Sequence, residues 1–304
     1  MNFADRLQAA IRAKGSPACV GFDPLIGQLP AELRAAADGD PAATAKALTA
    51  FGRGVIQAVA PLVPAIKINI AFFEPYYEHG IRAYHDLVGA AHQAGLVVIG
   101  DVKRADIGHT STQYAIAQLD GSGAGVDPQT IPDAITVNPY FGIDGVQPFI
   151  DVARKHGRGL FVLVQTSNPS AAEVQGLVLP DGLTVCQHVA RLVEKWACGD
   201  GFIGDYGYSS IGAVVSPRDL ESTVRIRELM PHCVFLVPGF GAQGRTADEV
   251  AKCFKPDGTG AIVAASRSVI FACNEPAYRD IPDWREAVRT ACADFVSAIR
   301  SVVG

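Results

Sequence analysis

The sequence predicts an α/β protein, a closed (β/α)8 barrel with one extra helix at its N-terminus. Three observations lead there. Short β-rich runs recur eight times along the chain, and each is followed by turn residues and then by a stretch of helical periodicity. The runs are almost continuously apolar rather than alternating, as strands buried on both faces of a parallel sheet are. Eight evenly repeated strand-then-helix units favour closure over an open, doubly wound sheet. A chain of 304 residues, 49% of them hydrophobic, suffices for one such domain over 1–304, and no composition shift marks a boundary.

Taken in order, a first helix carrying Phe3, Leu7 and Ile11 on one face precedes the barrel. The predicted strands are ACVGFDP (18–24), AIKINI (65–70), LVVIGDV (96–102), AITVNP (134–139), GLFVLVQTS (159–167), IGAVVS (211–216), VFLVPG (234–239) and AIVAAS (261–266). Between them Leu48, Phe51, Val55 and Val59 share one helical face. Leu87, Ala91 and Ala94 share another, with Gly95 as C-cap. Pro217 is placed at the start of the helix after the sixth strand. A last helix carries Trp284, Val288, Ala291, Phe295 and Ile299. Two connections are long. The segment 121–132 precedes the fourth strand, on the face that usually serves structure. The segment 167–182 follows the fifth strand, on the face where active sites form, and is a candidate lid.

Composition excludes several classes. The net charge is −5 with no basic run, so a nucleic-acid partner is not expected, because phosphate neutralisation needs clustered Lys and Arg. A small anionic ligand remains compatible with one locally positive pocket. The seven cysteines are odd in number and show no C-x-x-C, and the seven histidines show no H-E-x-x-H. Reduced, mostly buried thiols are expected, with neither disulfides nor a metal site. The N-terminus lacks the apolar core of a signal peptide and no run reaches the length of a membrane span, so a soluble cytoplasmic protein with no membrane partner is expected.

In a barrel of this kind the chemistry belongs at the C-terminal ends of the strands. Asp23 stands at the end of the first strand, Lys67 and Asn69 on the second, Asp101 and Lys103 on the third with Asp106 just beyond, and Asn138 after the fourth. Thr166, Ser167 and Asn168 close the fifth, and Ser266 and Arg267 the eighth. Asp101 and Lys103 are two apart, so alternation points both to one side, where Lys67 of the neighbouring strand can join them. Charges facing a barrel interior are costly unless paired. A plain salt bridge needs only two groups, and this cluster offers four. His109, near the same segment, is read as opening the next helix, and Tyr76, Tyr77 and Tyr84 as core or interface aromatics.

After the seventh strand, PGFGAQG contains G-x-G-x-x-G. The dinucleotide reading of that motif expects an acid at the end of the following strand, which here ends Ser266-Arg267. A phosphate site fits better, because glycines let backbone N–H groups approach a phosphate and Arg267 supplies a bidentate cation.

With DVKRADI (101–107) in D-x-K-x-x-D form, KINIAFFE, TSNP, PGFGAQG and SRS in this order, the chain resembles the orotidine 5′-phosphate decarboxylases, and among them the longer bacterial (type 2) form, over nearly its whole length. The resemblance implies conversion of orotidine 5′-phosphate to UMP and carbon dioxide in de novo pyrimidine synthesis, without metal or organic cofactor. It implies that Lys103 donates the proton to C6 and that Asp101 faces the departing carboxylate, with Lys67 and Asp106 completing an alternating array. Asp106, Ile107 and Thr110 would reach the neighbouring site of a homodimer with shared active sites. Asp23 would bind the ribose and Ser167 the pyrimidine edge. Gln243 and Arg267 would hold the phosphate, with Pro238 and Gly244 of the same loop also against the substrate. Two positions depart from the pattern: Ser170 where Gly follows Asn-Pro, and Arg245 where a small residue follows Gly244. A metal-dependent sugar-phosphate decarboxylase or aldolase can share D-x-K-x-x-D, but TSNP favours a pyrimidine ligand. A non-catalytic nucleotide-binding protein has no need to confine the Asp101/Lys103 pair beside a ligand carboxylate.

Overall fold

A computed structural model describes residues 1–37, 39–123, 125–240 and 247–303. Eight parallel strands pair in sequence order and close, β8 against β1: β1 (Ala18–Phe22), β2 (Ala65–Asn69), β3 (Val97–Arg104), β4 (Ala134–Val137), β5 (Gly159–Gln165), β6 (Ser209–Val215), β7 (Cys233–Val237) and β8 (Ala261–Ala265). The helices are α1 (Phe3–Lys14), α2 (Ala31–Ala36), α3 (Pro41–Val59), α4 (Tyr77–Gln93), α5 (Gly108–Leu119), α6 (Ile143–Lys155), α7 (Ala172–Gln175), α8 (Val185–Ala197), α9 (Leu220–Leu229), α10 (Ala247–Ala251), α11 (Arg267–Ile270) and α12 (Trp284–Val303). The (β/α)8 barrel expected from the sequence is therefore the fold. Among the described residues no helix is long and apolar enough to cross a membrane.

Alternation along each strand divides the core in two. Ala18, Val20, Ile66 and Val98 face outward and pack with Phe51, Val55 and Leu87 of the surrounding helices. Cys19, Ala65, Val97, Ile99, Ala134 and Phe161 form a second cluster that fills the barrel. Helix α1 closes the lower end of that inner cluster with Phe3 and Leu7, as its early place in the chain allows. Phe3 meets Phe161 edge to face at 5.8 Å and lies on the bare backbone of Gly159, where a Cβ would sit 2.1 Å from the ring. A side chain at position 159 would push the plug out of the barrel.

The helix faces expected from periodicity are buried: Leu48, Phe51, Val55 and Val59 of α3, and Trp284, Val288, Ala291, Phe295 and Ile299 of α12. Gly95, at φ +79°, ends α4 in the left-handed conformation that glycine adopts without steric cost. One expectation is corrected. Pro217 does not open the helix after β6; Asp219 does, its carboxylate accepting from Ser222 N at 2.6 Å, and α9 begins at Leu220. A side-chain acceptor for an orphan N–H outweighs the proline's preset φ.

Candidate active site

The inward-facing positions explain where the charges come from. In β2 the inward series runs Ala65, Lys67; in β3, Val97, Ile99, Asp101; in β4, Ala134, Thr136. Each series is apolar at the α1 end and polar at the other, so the same alternation that fills the barrel delivers its charges to the C-terminal mouth.

There Lys67 Nζ lies 2.7 Å from Asp101 Oδ2 and 3.7 Å from Asp23 Oδ1, and Lys103 Nζ lies 2.5 Å from Asp101 Oδ1. The order Asp23, Lys67, Asp101, Lys103 alternates in sign across three neighbouring strands. Burial alone would raise the Asp101 carboxyl, but Lys67 and Lys103 hold it well below the usual carboxylate range. Burial alone would lower the Lys67 ammonium, but Asp101 and Asp23 hold it above its ordinary value. Asp101 and Lys67 are therefore both charged at neutral pH. Asp23 Oδ1 is buried without a hydrogen-bond partner, with Lys67 Nζ as its ion-pair partner.

Lys103 does not follow simple alternation. Its φ is +43°, and the pairing of β3 with β4 shifts between Gly100 and Arg104. The strand bulges, and the Lys103 side chain rises to the rim, half exposed, while Asp101 stays buried beneath it. Thr136 holds the bulge. Its hydroxyl accepts from Val102 N and Lys103 N, both at 3.0 Å, and donates to Asp101 Oδ1 at 2.9 Å. Sequence reading passed over this residue. The available signal was a lone hydroxyl in the otherwise apolar run of β4.

The remaining candidates are not drawn into the array within one chain. Asp106 Oδ1 accepts from its own neighbour Ile107 N at 2.9 Å. Ile107 is 56% exposed and Thr110 is exposed, both on the outer rim beyond β3. Ser167 is half-buried after β5, between Thr166 and Asn168, whose side chains bond each other at 2.6 Å. The segment 167–182 is ordered locally: Gln175 of α7 accepts from Thr166 N at 3.0 Å and donates to Thr166 Oγ1 at 2.7 Å, so α7 is tied back to the end of β5. Pro238 follows β7, half-buried, and Arg267 begins α11 after β8 with its side chain exposed. Gln243, Gly244 and Arg245 lie outside the described residues.

Cavity size does not single out the mouth. A groove of about 870 Å³ lies between α7, α8 and α9, and a cavity of about 760 Å³ lies beside Arg267 and α12. Both flank the barrel axis, and the second carries Glu275 and Asp294. The charge array on the axis is the better guide, because confining four charges there is costly unless they are used.

Comparison with known proteins bears on the family and the fold. The family model described as orotidine 5′-phosphate decarboxylase / HUMPS matches residues 38–281. An orotidine 5′-phosphate decarboxylase of Rhodopirellula baltica is 42% identical over 298 residues, 96% of either chain. One from Caldicellulosiruptor saccharolyticus is 37% identical over 290 residues, 92% of this chain and 93% of that one. The solved OMP decarboxylase of Leishmania donovani superposes with a TM-score of 0.76 at 26% identity, covering 100% of this chain and 99% of that one. On its sequence, its barrel and the charges at the barrel mouth, the chain belongs to the orotidine 5′-phosphate decarboxylase / HUMPS family.

Proposed function

We propose that this chain, acting over 1–304 as one catalytic unit, converts orotidine 5′-phosphate to UMP and carbon dioxide, as a cofactor-independent carboxy-lyase of pyrimidine biosynthesis in the cytoplasm. The observation that carries the reading is the alternating array Asp23, Lys67, Asp101, Lys103 at the barrel mouth. The names of the relatives support the substrate.

The reaction breaks the bond between C6 and the carboxylate carbon. The electron pair stays on C6, in the plane of the ring, where no π-system can delocalise it. What the site offers is a fixed ammonium beside that carbon. Lys103, at the rim, stabilises the developing charge and delivers its proton to C6. Asp101, kept ionised by two lysines, faces the substrate carboxylate and favours its departure, while Lys67 holds Asp101 in place. The carboxylates of the array already have lysine partners, so the mouth is furnished for an anionic ligand.

Asp23 Oδ1, ion-paired with Lys67 but accepting no hydrogen bond, suits a ribose hydroxyl donor. Ser167 reads the pyrimidine edge, and Pro238, Gln243, Gly244 and Arg267 receive the phosphate end. Binding of that remote phosphate supplies energy for closing the segment 167–182 over the site. Asp106, Ile107 and Thr110 serve the neighbouring site of a homodimer. Among the described residues none of the three bonds to the array of its own chain, which supports this, as do the exposed aromatics on the same chain: Tyr77 is 72%, Tyr140 81% and Phe141 51% exposed.

The test is release of carbon dioxide from carboxyl-labelled orotidine 5′-phosphate, with and without a chelator. Turnover in both arms is expected. Loss of turnover with chelator, restored by a divalent metal, would point instead to the metal-dependent branch of sugar-phosphate chemistry.

A further inference from the structure

We infer that Glu194, Cys198 and His232 form a zinc-binding site at the end of the barrel opposite the charge array. Glu194 lies on α8 and Cys198 caps its C-terminus, one helical turn apart, so both present to one side. His232 stands in the connection from α9 to β7, directly before Cys233. Neither spacing announces a metal site in the sequence; the packing of α8 against the entry to β7 creates it.

The geometry favours a cation over a simple ion pair. One ligand atom from each residue lies within 4.8 Å of the other two. Cys198 Sγ is 3.6 Å from His232 Nδ1 and 3.4 Å from Glu194 Oε1, and His232 Nδ1 is 2.5 Å from Glu194 Oε1. Tetrahedral zinc, with bonds of about 2.0–2.3 Å to nitrogen, oxygen and sulfur, sets ligand-to-ligand edges of about 3.4–3.6 Å. Both sulfur edges already have that length. Only the His232–Glu194 edge must open, from a hydrogen bond to two metal bonds. Cys198 Sγ donates to Glu194 Oε1 and stands within hydrogen-bond reach of His232 Nδ1, so hydrogen bonds already gather the three ligand atoms that a metal would replace them in holding. The group is also unsuited to a nucleophilic relay, because thiol and carboxylate share the same ring nitrogen.

The second carboxylate oxygen is fixed by other groups. Glu194 Oε2 accepts from His232 N at 3.4 Å and from the buried Cys233 Sγ at 3.5 Å, which orients Oε1 toward the other two ligands. Cys198 is exposed, so a cation has an entry path, and a water can take the fourth position. Once bound, zinc would tie the end of α8 to the start of β7, far from the decarboxylation chemistry and independent of it.

The test is titration of the purified full-length protein with Co²⁺ as a spectroscopic stand-in, followed by displacement with Zn²⁺. The expected result is a thiolate-to-cobalt charge-transfer band with tetrahedral ligand-field absorption, abolished by zinc. In Cys198→Ser the band disappears, and zinc affinity falls on the order of tenfold or more in His232→Ala and Glu194→Gln. Zinc should also raise Tm in the wild type and leave Tm unmoved in Cys198→Ser, with decarboxylation unchanged in that variant, whose substituted side chain is exposed. Absence of a thiolate band in the wild type, or a band that survives Cys198→Ser, overturns the proposal.

Discussion

Thr136→Val isolates what holds the bulge at Lys103. Valine keeps the shape of threonine and removes one oxygen that serves three partners: Val102 N, Lys103 N and Asp101 Oδ1. Thr136 is 1% exposed, so water cannot replace the acceptor. Two N–H groups left without an acceptor cost about 1–3 kcal/mol each, and the added methyl returns about 0.8 kcal/mol, so a net loss of roughly 1–5 kcal/mol is expected. Part of that loss is escapable. Lys103 sits at φ +43°, a conformation costing about 1–2 kcal/mol that these bonds sustain, and without them the backbone can relax and carry Nζ away from its place. With Lys103 acting in the transition state, as proposed, the expected kinetic signature is a fall in kcat of roughly 10–100-fold with KM little changed. Urea unfolding gives the stability, and initial-rate decarboxylation gives the split. Thr136→Ser, which keeps the hydroxyl, should restore most of both. Wild-type kcat in Thr136→Val, with Thr136→Ser no better than valine, would refute the reasoning.

Other outcomes follow from the same geometry. If Asp106 serves a neighbouring site, mixing inactive Asp106→Ala with inactive Lys103→Ala should recover up to about a quarter of wild-type activity, because half the dimers then carry one intact site; no recovery speaks against a shared site. At the opposite end of the barrel, Asp133 accepts from Arg6 at 3.1 Å, His92 Nε2 at 2.9 Å and Val98 N at 3.0 Å. Burial alone would raise its carboxyl, but His92, Val98 and Arg6 hold it low, so its contribution is present above the ordinary carboxylate value and lost as pH falls through the depressed one. Burial alone would lower His92, but the carboxylate at Nε2 and the Gln129 carbonyl at Nδ1 favour both ring protons and raise it. The histidine's contribution is thus complete below about 6.5 and lost as pH rises through the raised value. Asp133→Asn should flatten both limbs of the pH–stability curve and cost roughly 2–4 kcal/mol at neutral pH while leaving kcat intact; an unchanged acid limb by chemical denaturation contradicts this. Gly159→Ala should destabilise by a few kcal/mol through the clash with Phe3, read as a lower Tm.

Strand periodicity made the barrel legible because parallel strands buried on both faces leave a strong signal, and all eight runs coincide with strands. The array was legible because Lys67, Asp101 and Lys103 are charges inside apolar runs. What escaped depended on contacts between distant segments. Thr136 looks ordinary until a bulge in the neighbouring strand hands it two N–H groups. The positive φ of Lys103 follows from that bulge and not from its residue type. Pro217 misled because proline marks helix starts only when no better cap follows, and Asp219 is a better one. Glu194 and His232 meet through the packing of α8 beside β7, which no local spacing encodes.

The central claim is that the Lys103 ammonium, rimming a charged array, performs the chemistry. Lys103 is half exposed and Lys67 keeps Asp101 paired without it, so Lys103→Ala should fold and still bind nucleotide. The direct measurement is decarboxylation of orotidine 5′-phosphate by Lys103→Ala beside calorimetric binding of UMP. The account predicts a fall in kcat of roughly ten-thousand-fold or more, with UMP affinity within about tenfold of wild type. Wild-type turnover in that variant would contradict it.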